Sequence, residues 1–400
     1  MSDSGKILRE ITKEKNFRVC INKPFNDLSL NFINEFSIEL KKDRDTYRYL
    51  DLIYLSNWCS KKKISELKKR YVFKNLQIGR GLIFHISPSN VPTNFVYSFI
   101  FGLLSGNSNV IKLPSSEFAE KKIILKIIKK LLNKKMYSNF RFSNCFISYD
   151  TKKDNEITKK LSSICDVRVI WGGDETVNSI RKIWKPERST EITFPDRYSL
   201  SVINLDKLIK LNSNDFKVLI KNFFYDGYTM NQLACNSPHF VFWLGKNSKS
   251  LKKKFWAQLS DFVKKKYQLD EKNLINKYTN LVKNIFIQDK FKNFEKFDNL
   301  LYVVDPNKNI QNIENIRGES GTFFQINIKS LLDLKKYVTK KCQTVTYYGL
   351  KKNDIENFLI LNNVKGIDRV VPIGSALDMD VIWDGYNMIN SLSREIPIYE

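Results

Sequence analysis

From residue 81 onward, short runs rich in β-branched and aromatic residues alternate with longer amphipathic stretches, which narrows the possible folds sharply. The runs are Gly81–Ile86, Asn109–Leu113, Cys145–Tyr149, Val167–Trp171 and Leu200–Asn204. Between the second and third, Phe118, Ile123, Ile124, Ile127, Ile128, Leu131 and Leu132 trace one stripe, with Lys121, Lys122, Lys126, Lys129 and Lys130 mostly opposite. A basic amphipathic helix of this kind suits a membrane surface when it stands alone, but flanking strands make it a crossover. Repeated strand–helix–strand units predict a parallel sheet covered on both faces, hence an α/β fold. Residues 28–70 read as helical, because Tyr47, Leu50, Tyr54 and Trp58 recur at three- and four-residue steps. A second α/β unit is expected from residue 205, with helices near 212–225, 249–267 and 329–338. Its expected strands are His239–Leu244, Leu300–Val304, Thr322–Ile328 and Thr344–Tyr348.

The chain has 400 residues, 42% of them hydrophobic, which is enough for two separate cores. Its most apolar run, Phe95–Leu104, falls far short of the ~20 residues that span a bilayer. The opening stretch Met1–Phe17 is polar and charged, unlike a secretory leader, so the expected location is cytoplasmic, with reduced thiols. The six cysteines have no metal-like spacing and only two histidines accompany them, so no metal is expected. The net charge of +25 would attract polyanions. Its lysines are scattered along helical stretches, however, and read as solvated faces with no nucleic-acid footprint.

In a parallel sheet, ligands gather beyond the carboxyl ends of the strands. The first run breaks there into Ser87-Pro88-Ser89-Asn90-Val91-Pro92, where two prolines force a turn that carries an amide. Asn90 either bonds its own backbone or serves as a neutral donor to an oxyanion. The second run ends Lys112-Leu113-Pro114-Ser115-Ser116, where the lysine and hydroxyls suit ribose or phosphate, or the serines cap a helix. Val167–Trp171 runs into Gly172-Gly173-Asp174, a glycine turn at a helix start. Gly79-Arg80-Gly81 precedes its strand and is no dinucleotide fingerprint. Cys235 lies in the polar, proline-closed loop Met230–Pro238, a setting that suits a nucleophile better than a core position. Cys20, Cys59, Cys145, Cys165 and Cys342 read as small core residues, and His85 and His239 carry no assigned role.

Taken in order, these segments resemble the aldehyde dehydrogenase superfamily. Ser87–Pro92 is similar to its P-W-N-x-P turn, Gly106–Asn107 with Val110–Ser115 to its G-N-x-V-x-K-P-S segment, and Trp171–Val177 to its F-T-G-S-T-E-V segment. Gln232–Pro238 is similar to its G-Q-x-C-x-x-P loop. Near the end of the chain, Gly366–Gly374, Leu377–Asp380 and Trp383–Tyr386 resemble the LuxC-type acyl-CoA reductases.

The resemblance implies a Rossmann-type cofactor domain with helices at 1–204, a catalytic domain at 205–365, and a segment at 366–400 that returns to the cofactor domain or an oligomer interface. It implies reduction of an acyl thioester to the aldehyde through an acyl group carried on Cys235, with Asn90 steadying the oxyanion. Cofactor contacts fall to Ser87, Pro88, Ser89, Lys112, Pro114, Ser115, Ser116, Gly172, Gly173 and Asp174. Phe194–Ser199 lacks the glutamate with which oxidising relatives activate water, which favours the reductive direction over an oxidative aldehyde dehydrogenase. Ser115 and Ser116 stand where NAD-preferring relatives carry an acid, so NADPH is expected, with NADH admitted. Lys112 falls one residue early in its motif, which leaves its task open. Expected partners are an acyl-CoA or acyl-carrier substrate, an acyltransferase or synthetase, and further copies of the chain.

Overall fold

The computed structural model describes residues 7, 10, 11 and 16–399, other than 72, 74, 151–154, 289, 290, 308, 309 and 311. The chain divides into two compact units, one running to Asp196 and resuming at Met379, the other Arg197–Asp378.

The first unit begins with helices Asp27–Lys42, Leu50–Trp58 and Lys61–Arg70, as the 28–70 pattern predicts. Asn26 caps the first through the Ser29 N–H, and Phe32, Ile33, Phe36 and Leu40 form its buried stripe. The strands are β1 (Leu76–Gly79), β2 (Leu82–Ile86), β3 (Ser108–Lys112), β4 (Asn144–Ile147), β5 (Val167–Trp171) and β6 (Thr190–Phe194). Five of them form one sheet in the order β4-β3-β2-β5-β6, and every pairing is parallel. The order reverses between β2 and β5, which opens a crevice at their carboxyl ends. The expected crossover helix is present as Ala119–Leu132, with Ile124, Ile127, Ile128 and Leu131 buried. Phe95–Leu104 belongs to the buried helix Asn94–Leu104.

The second unit contains β7 (Tyr198–Asn204), β8 (Pro238–Leu244), β9 (Phe291–Phe297), β10 (Leu301–Pro306), β11 (Thr322–Ile328), β12 (Cys342–Tyr348) and β13 (Arg369–Pro372). Their order is β13-β12-β7-β8-β11-β10-β9, parallel throughout except for β9 at one edge. The run Leu200–Asn204, grouped with the first sheet in the alternation, pairs here, and β6 takes the fifth place in the first sheet. One sheet face packs Tyr198, Leu200, Val202, Phe240, Phe242 and Phe324 into a core. The other carries helices Ser213–Tyr228 and Lys249–Lys266, with Phe223, Phe255, Trp256 and Phe323 in edge, tilted and stacked ring contacts. The 329–338 stretch is a 3₁₀ turn, Leu331–Tyr337, started by a Ser330/Asp333 capping box.

Helix Glu271–Gln288 has no counterpart in the sequence reading, and its inverted pattern explains why. Lys277 and Asn284 are buried, whereas Ile275, Val282 and Phe286 are exposed. After residue 378 the chain adds β14 (Ile382–Trp383), β15 (Tyr386–Asn387) and β16 (Ser393–Ile396) to the first unit, where β16 pairs antiparallel with β1. Among the described residues no helix is long and apolar enough to cross a membrane.

Candidate active site

The carboxyl ends of β2, β3 and β5 collect most of the residues to which the sequence assigns cofactor contacts. Beyond β2, Ser87 is buried, Pro88 is half-buried, and Ser89 and Asn90 are exposed in a bend before helix Asn94–Leu104. The buried Ser87 Oγ, Thr93 Oγ1 and Asn94 Oδ1 have no hydrogen-bond partner among the described residues. Buried polar atoms are normally bonded, so three orphans beside a sheet crevice fit a polar ligand. Gly173, before helix Asp174–Arg181, has nothing within 4 Å of the place a Cβ would occupy, so a ligand can approach its backbone. Asp174 Oδ1 accepts the Asp196 N–H at 3.3 Å. These features fit a nicotinamide dinucleotide.

The β3 end departs from the capping alternative. Ser115 and Ser116 do not cap the crossover helix, which starts later at Ala119 after Phe118, with no side-chain cap. The Lys121 ammonium reaches back to Pro114 O at 3.3 Å, Ser116 O at 3.0 Å and Glu117 Oε1 at 2.8 Å. Lys112 is itself buried, 5.4 Å from the centre of the Tyr149 ring, and burial lowers its pKa while Asp150 opposes the shift. This is a lysine packed at the strand end rather than one reaching into solvent.

In the second unit, helix Ser213–Tyr228 leads into the loop that carries Cys235. Asn231 and Gln232 adopt left-handed backbone angles, φ 51° and 62°, which turns the chain sharply. Gln232 is fully buried. Its Nε2 donates to Pro238 O and Thr322 O, both at 2.9 Å, and its Oε1 accepts the Gly321 and Thr322 N–H groups, both at 3.1 Å. Ser199 Oγ donates to Cys235 O at 2.6 Å and accepts the Thr344 N–H at 3.1 Å. Asn236 Nδ2 donates to Ala376 O at 2.6 Å. Cys235 is half-buried between buried Ala234 and Asn236, with its loop bonded to β7, β11 and the segment after β13. Gln232 stood in the quoted motif without an assigned task, and Ser199 gave no signal of its own.

Cys59, Cys165 and Cys342 are buried, as expected, and burial pushes the Cys165 thiol up to about 11 and Cys342 to about 12. Cys20 and Cys145 are half-buried rather than core residues. His85 donates from Nε2 to Asn109 Oδ1 at 2.9 Å and accepts the Ser98 hydroxyl at Nδ1, 2.7 Å; burial lowers its pKa to about 4. His239 accepts the Gly318 N–H at Nδ1, and burial lowers it to about 3, reinforced by Arg317. Both rings are neutral structural members, in line with the sequence reading. Asn90 belongs to the first unit and Cys235 to the second. Among the described residues, no three histidine, cysteine or carboxylate side chains cluster as a metal site.

A profile of the family described as Acyl-CoA reductase (LuxC) matches residues 57–395, most of the chain. The chain belongs to the LuxC family. A curated relative, the long-chain acyl-protein thioester reductase of Aliivibrio fischeri, is 25% identical over 186 residues, 46% of this chain and 36% of the relative. The matched region therefore spans about a third of that protein. Solved structures show an aldehyde dehydrogenase-like fold. An aldehyde dehydrogenase of Staphylococcus aureus, AldH, in a substrate-bound state, superposes with TM-score 0.60 at 11% identity, covering 99% of this chain and 93% of its own. An oxidoreductase from Marinobacter aquaeolei gives 0.65 at 10%, covering 99% and 90%. Aldehyde dehydrogenase 21 of Physcomitrella patens, in complex with succinate, gives 0.65 at 10%, covering 98% and 88%. At such identities the likeness concerns fold alone, and within it the LuxC profile reaches both the cysteine loop and the 366–386 motifs.

Proposed function

We propose that this LuxC-family chain reduces an acyl thioester to the aldehyde, with Cys235 carrying the acyl group and NADPH as reductant. The observation that supports this most directly is the setting of Cys235, a half-buried thiol in a loop tied down through its own carbonyl and through the Asn236 and Gln232 side chains. Such rigidity holds a nucleophile in position without reorganisation.

The Cys235 thiolate attacks the thioester carbonyl, the carrier leaves as its thiolate, and the acyl group remains on sulfur. The Cys235 N–H and the Asn90 amide are the oxyanion donors in this reading, each worth ~3 kcal/mol. Ser87, Ser89, Gly172, Gly173 and Asp174 would hold the cofactor with Pro88 and Pro114 shaping the turns, and the Ser115–Ser116 hydroxyls beside the Lys121 ammonium suit a 2′-phosphate. When bound, the reduced nicotinamide supplies a hydride to the acyl carbon. Release of the aldehyde then requires Cys235 to leave again as thiolate. The stretch Phe194–Ser199 offers no glutamate to activate water, and its Arg197 donates to Lys341 O at 3.1 Å and Cys342 O at 3.0 Å. In this reading the missing glutamate spares the acyl enzyme from hydrolysis. The name of the Aliivibrio fischeri relative favours a long chain and a protein-borne thioester, with acyl-CoA as the alternative carrier. A cytoplasmic setting, self-association and an acyltransferase or synthetase partner complete the reading.

The test is NADPH oxidation with acyl-CoAs of graded chain length and an acylated carrier protein, combined with intact-protein mass spectrometry without cofactor. An acyl adduct on wild-type protein that is absent from Cys235→Ala, with turnover lost in the variant, is expected. An adduct that persists in Cys235→Ala refutes the assignment.

A further inference from the structure

A buried carboxylate sits in the helix that precedes the cysteine loop. Asp226, in the last turn of Ser213–Tyr228, is 1% exposed. Its Oδ2 accepts the Gly374 N–H at 2.7 Å and its Oδ1 the Ala376 N–H at 2.9 Å. Gly374 has φ +104°, and an added Cβ would lie 2.8 Å from the Asn222 side chain, so this approach needs glycine. From β13, Arg369 grips the same segment through its carbonyls, with Nη1 to Ala376 O at 2.6 Å and Nη2 to Ser375 O at 2.7 Å and Asp378 O at 2.6 Å. The Ala376 carbonyl also receives Asn236 Nδ2, and Asn236 is bonded through the peptide link to Cys235.

We propose that Asp226 and Arg369 form a two-sided clamp on segment 374–378 that positions Cys235 through Asn236 and tightens when Asp226 is ionised. The proposal rests on Cys235 being the acyl carrier. Asp226 orients the N–H groups and Arg369 the carbonyls of one short turn, so the Ala376 oxygen is held from both directions. A carboxylate accepts from two N–H groups; the protonated acid has one oxygen committed to its own proton and holds the second N–H poorly. Burial is the dominant influence on Asp226 and raises its pKa to about 7, opposed by the two N–H bonds and by Arg369 and reinforced by Asp378 on the clamped segment. Ionisation of Asp226 near pH 7 would therefore tighten the clamp.

The experiment is the single-turnover rate of acyl transfer from an acyl-CoA to Cys235 between pH 5.5 and 9, in wild type and in Asp226→Asn. Wild type should show a rising step near pH 7 from the clamp. Asp226→Asn imitates the protonated clamp, so it should lose this step and run at least about tenfold below wild type at pH 8. NADPH binding should be retained. The same step near pH 7 and an unchanged rate at pH 8 in Asp226→Asn overturn the proposal. Should that variant not fold, hydrogen exchange of the Gly374 and Ala376 amides in wild type decides the matter. After correction for intrinsic exchange, protection must rise from pH 6 to pH 8, and equal protection refutes the clamp. Absence of any acyl adduct on wild-type Cys235 would instead defeat the functional reading, and the exchange result would still report on the clamp.

Discussion

Gln232 uses every hydrogen-bonding position its side chain has, two donors to carbonyls and two acceptors from N–H groups. Its replacement by leucine would leave the Gly321 and Thr322 N–H groups buried without partners, at ~1–3 kcal/mol each. We therefore expect Gln232→Leu to lose ~2–5 kcal/mol of unfolding free energy in urea and nearly all thioester reduction. Stability within error of wild type would show that the loop is held by other means. For Asn90, exposed in its bend, truncation to alanine should lower kcat by ~10²–10³ without changing the thermal midpoint. An unchanged kcat would remove it from the oxyanion site. The sequence exposes some of these residues and conceals others for a physical reason. Cys235 and Asn90 stand out because polar and proline-rich neighbours surround them locally. Asp226 acts on residues 148 and 150 positions away, a partnership that no window of sequence contains.

Strands and crossover helices were legible wherever one face is apolar and the other polar, as in Ala119–Leu132, or where the run is short and bounded, as in Val167–Trp171. Helix Glu271–Gln288 was not, since it buries Lys277 against the carbonyls of Asn299 and Ser320 and turns Phe286 outward. Helix Leu50–Trp58 has a comparable anomaly that is open to test. Asp51 lies in its first turn, where an acid is normally favoured, yet it is only 4% exposed. Burial, reinforced by Glu120, raises its pKa from 3.8 to about 8, while the Leu52 N–H, bonded at 2.8 Å, pulls the other way. A carboxyl raised in the folded state binds its proton more tightly there than in the unfolded chain. Its contribution to stability is thus complete below pH ~4 and is lost as pH climbs to about 8. Asp51→Asn keeps the acceptor and removes the charge, so it should raise the thermal midpoint by several degrees at pH 8 and leave it unchanged at pH 4. Equal midpoints at pH 8 would mean that Asp51 is ionised at no cost.

Across the whole molecule, the net charge of +25 has to be reconciled with a fold whose strand order opens a single crevice in its parallel sheet. Part of that charge is locally matched. Lys126 pairs with Asp43 at 3.2 Å, Lys134 with Glu35 at 2.6 Å, and Lys130 with Glu39, which joins the crossover helix to Asp27–Lys42 within the first unit. Exposed pairs of this kind add little stability, so the excess charge matters mainly as a field. A cationic field attracts polyphosphorylated ligands from a distance, and the attraction fades as the screening length shrinks to ~10 Å at 0.1 M salt. Coenzyme A and NADPH carry several negative charges, whereas the same acyl chain on a small uncharged thiol carries none. If the field guides substrate, kcat/KM for the acyl-CoA should fall several-fold to ~10-fold from low to physiological ionic strength. With NADPH saturating throughout, the uncharged thioester should hold nearly constant. Parallel declines for both thioesters would place the salt effect in the protein's own structure, and flat profiles for both would leave the lysines without a part in substrate capture.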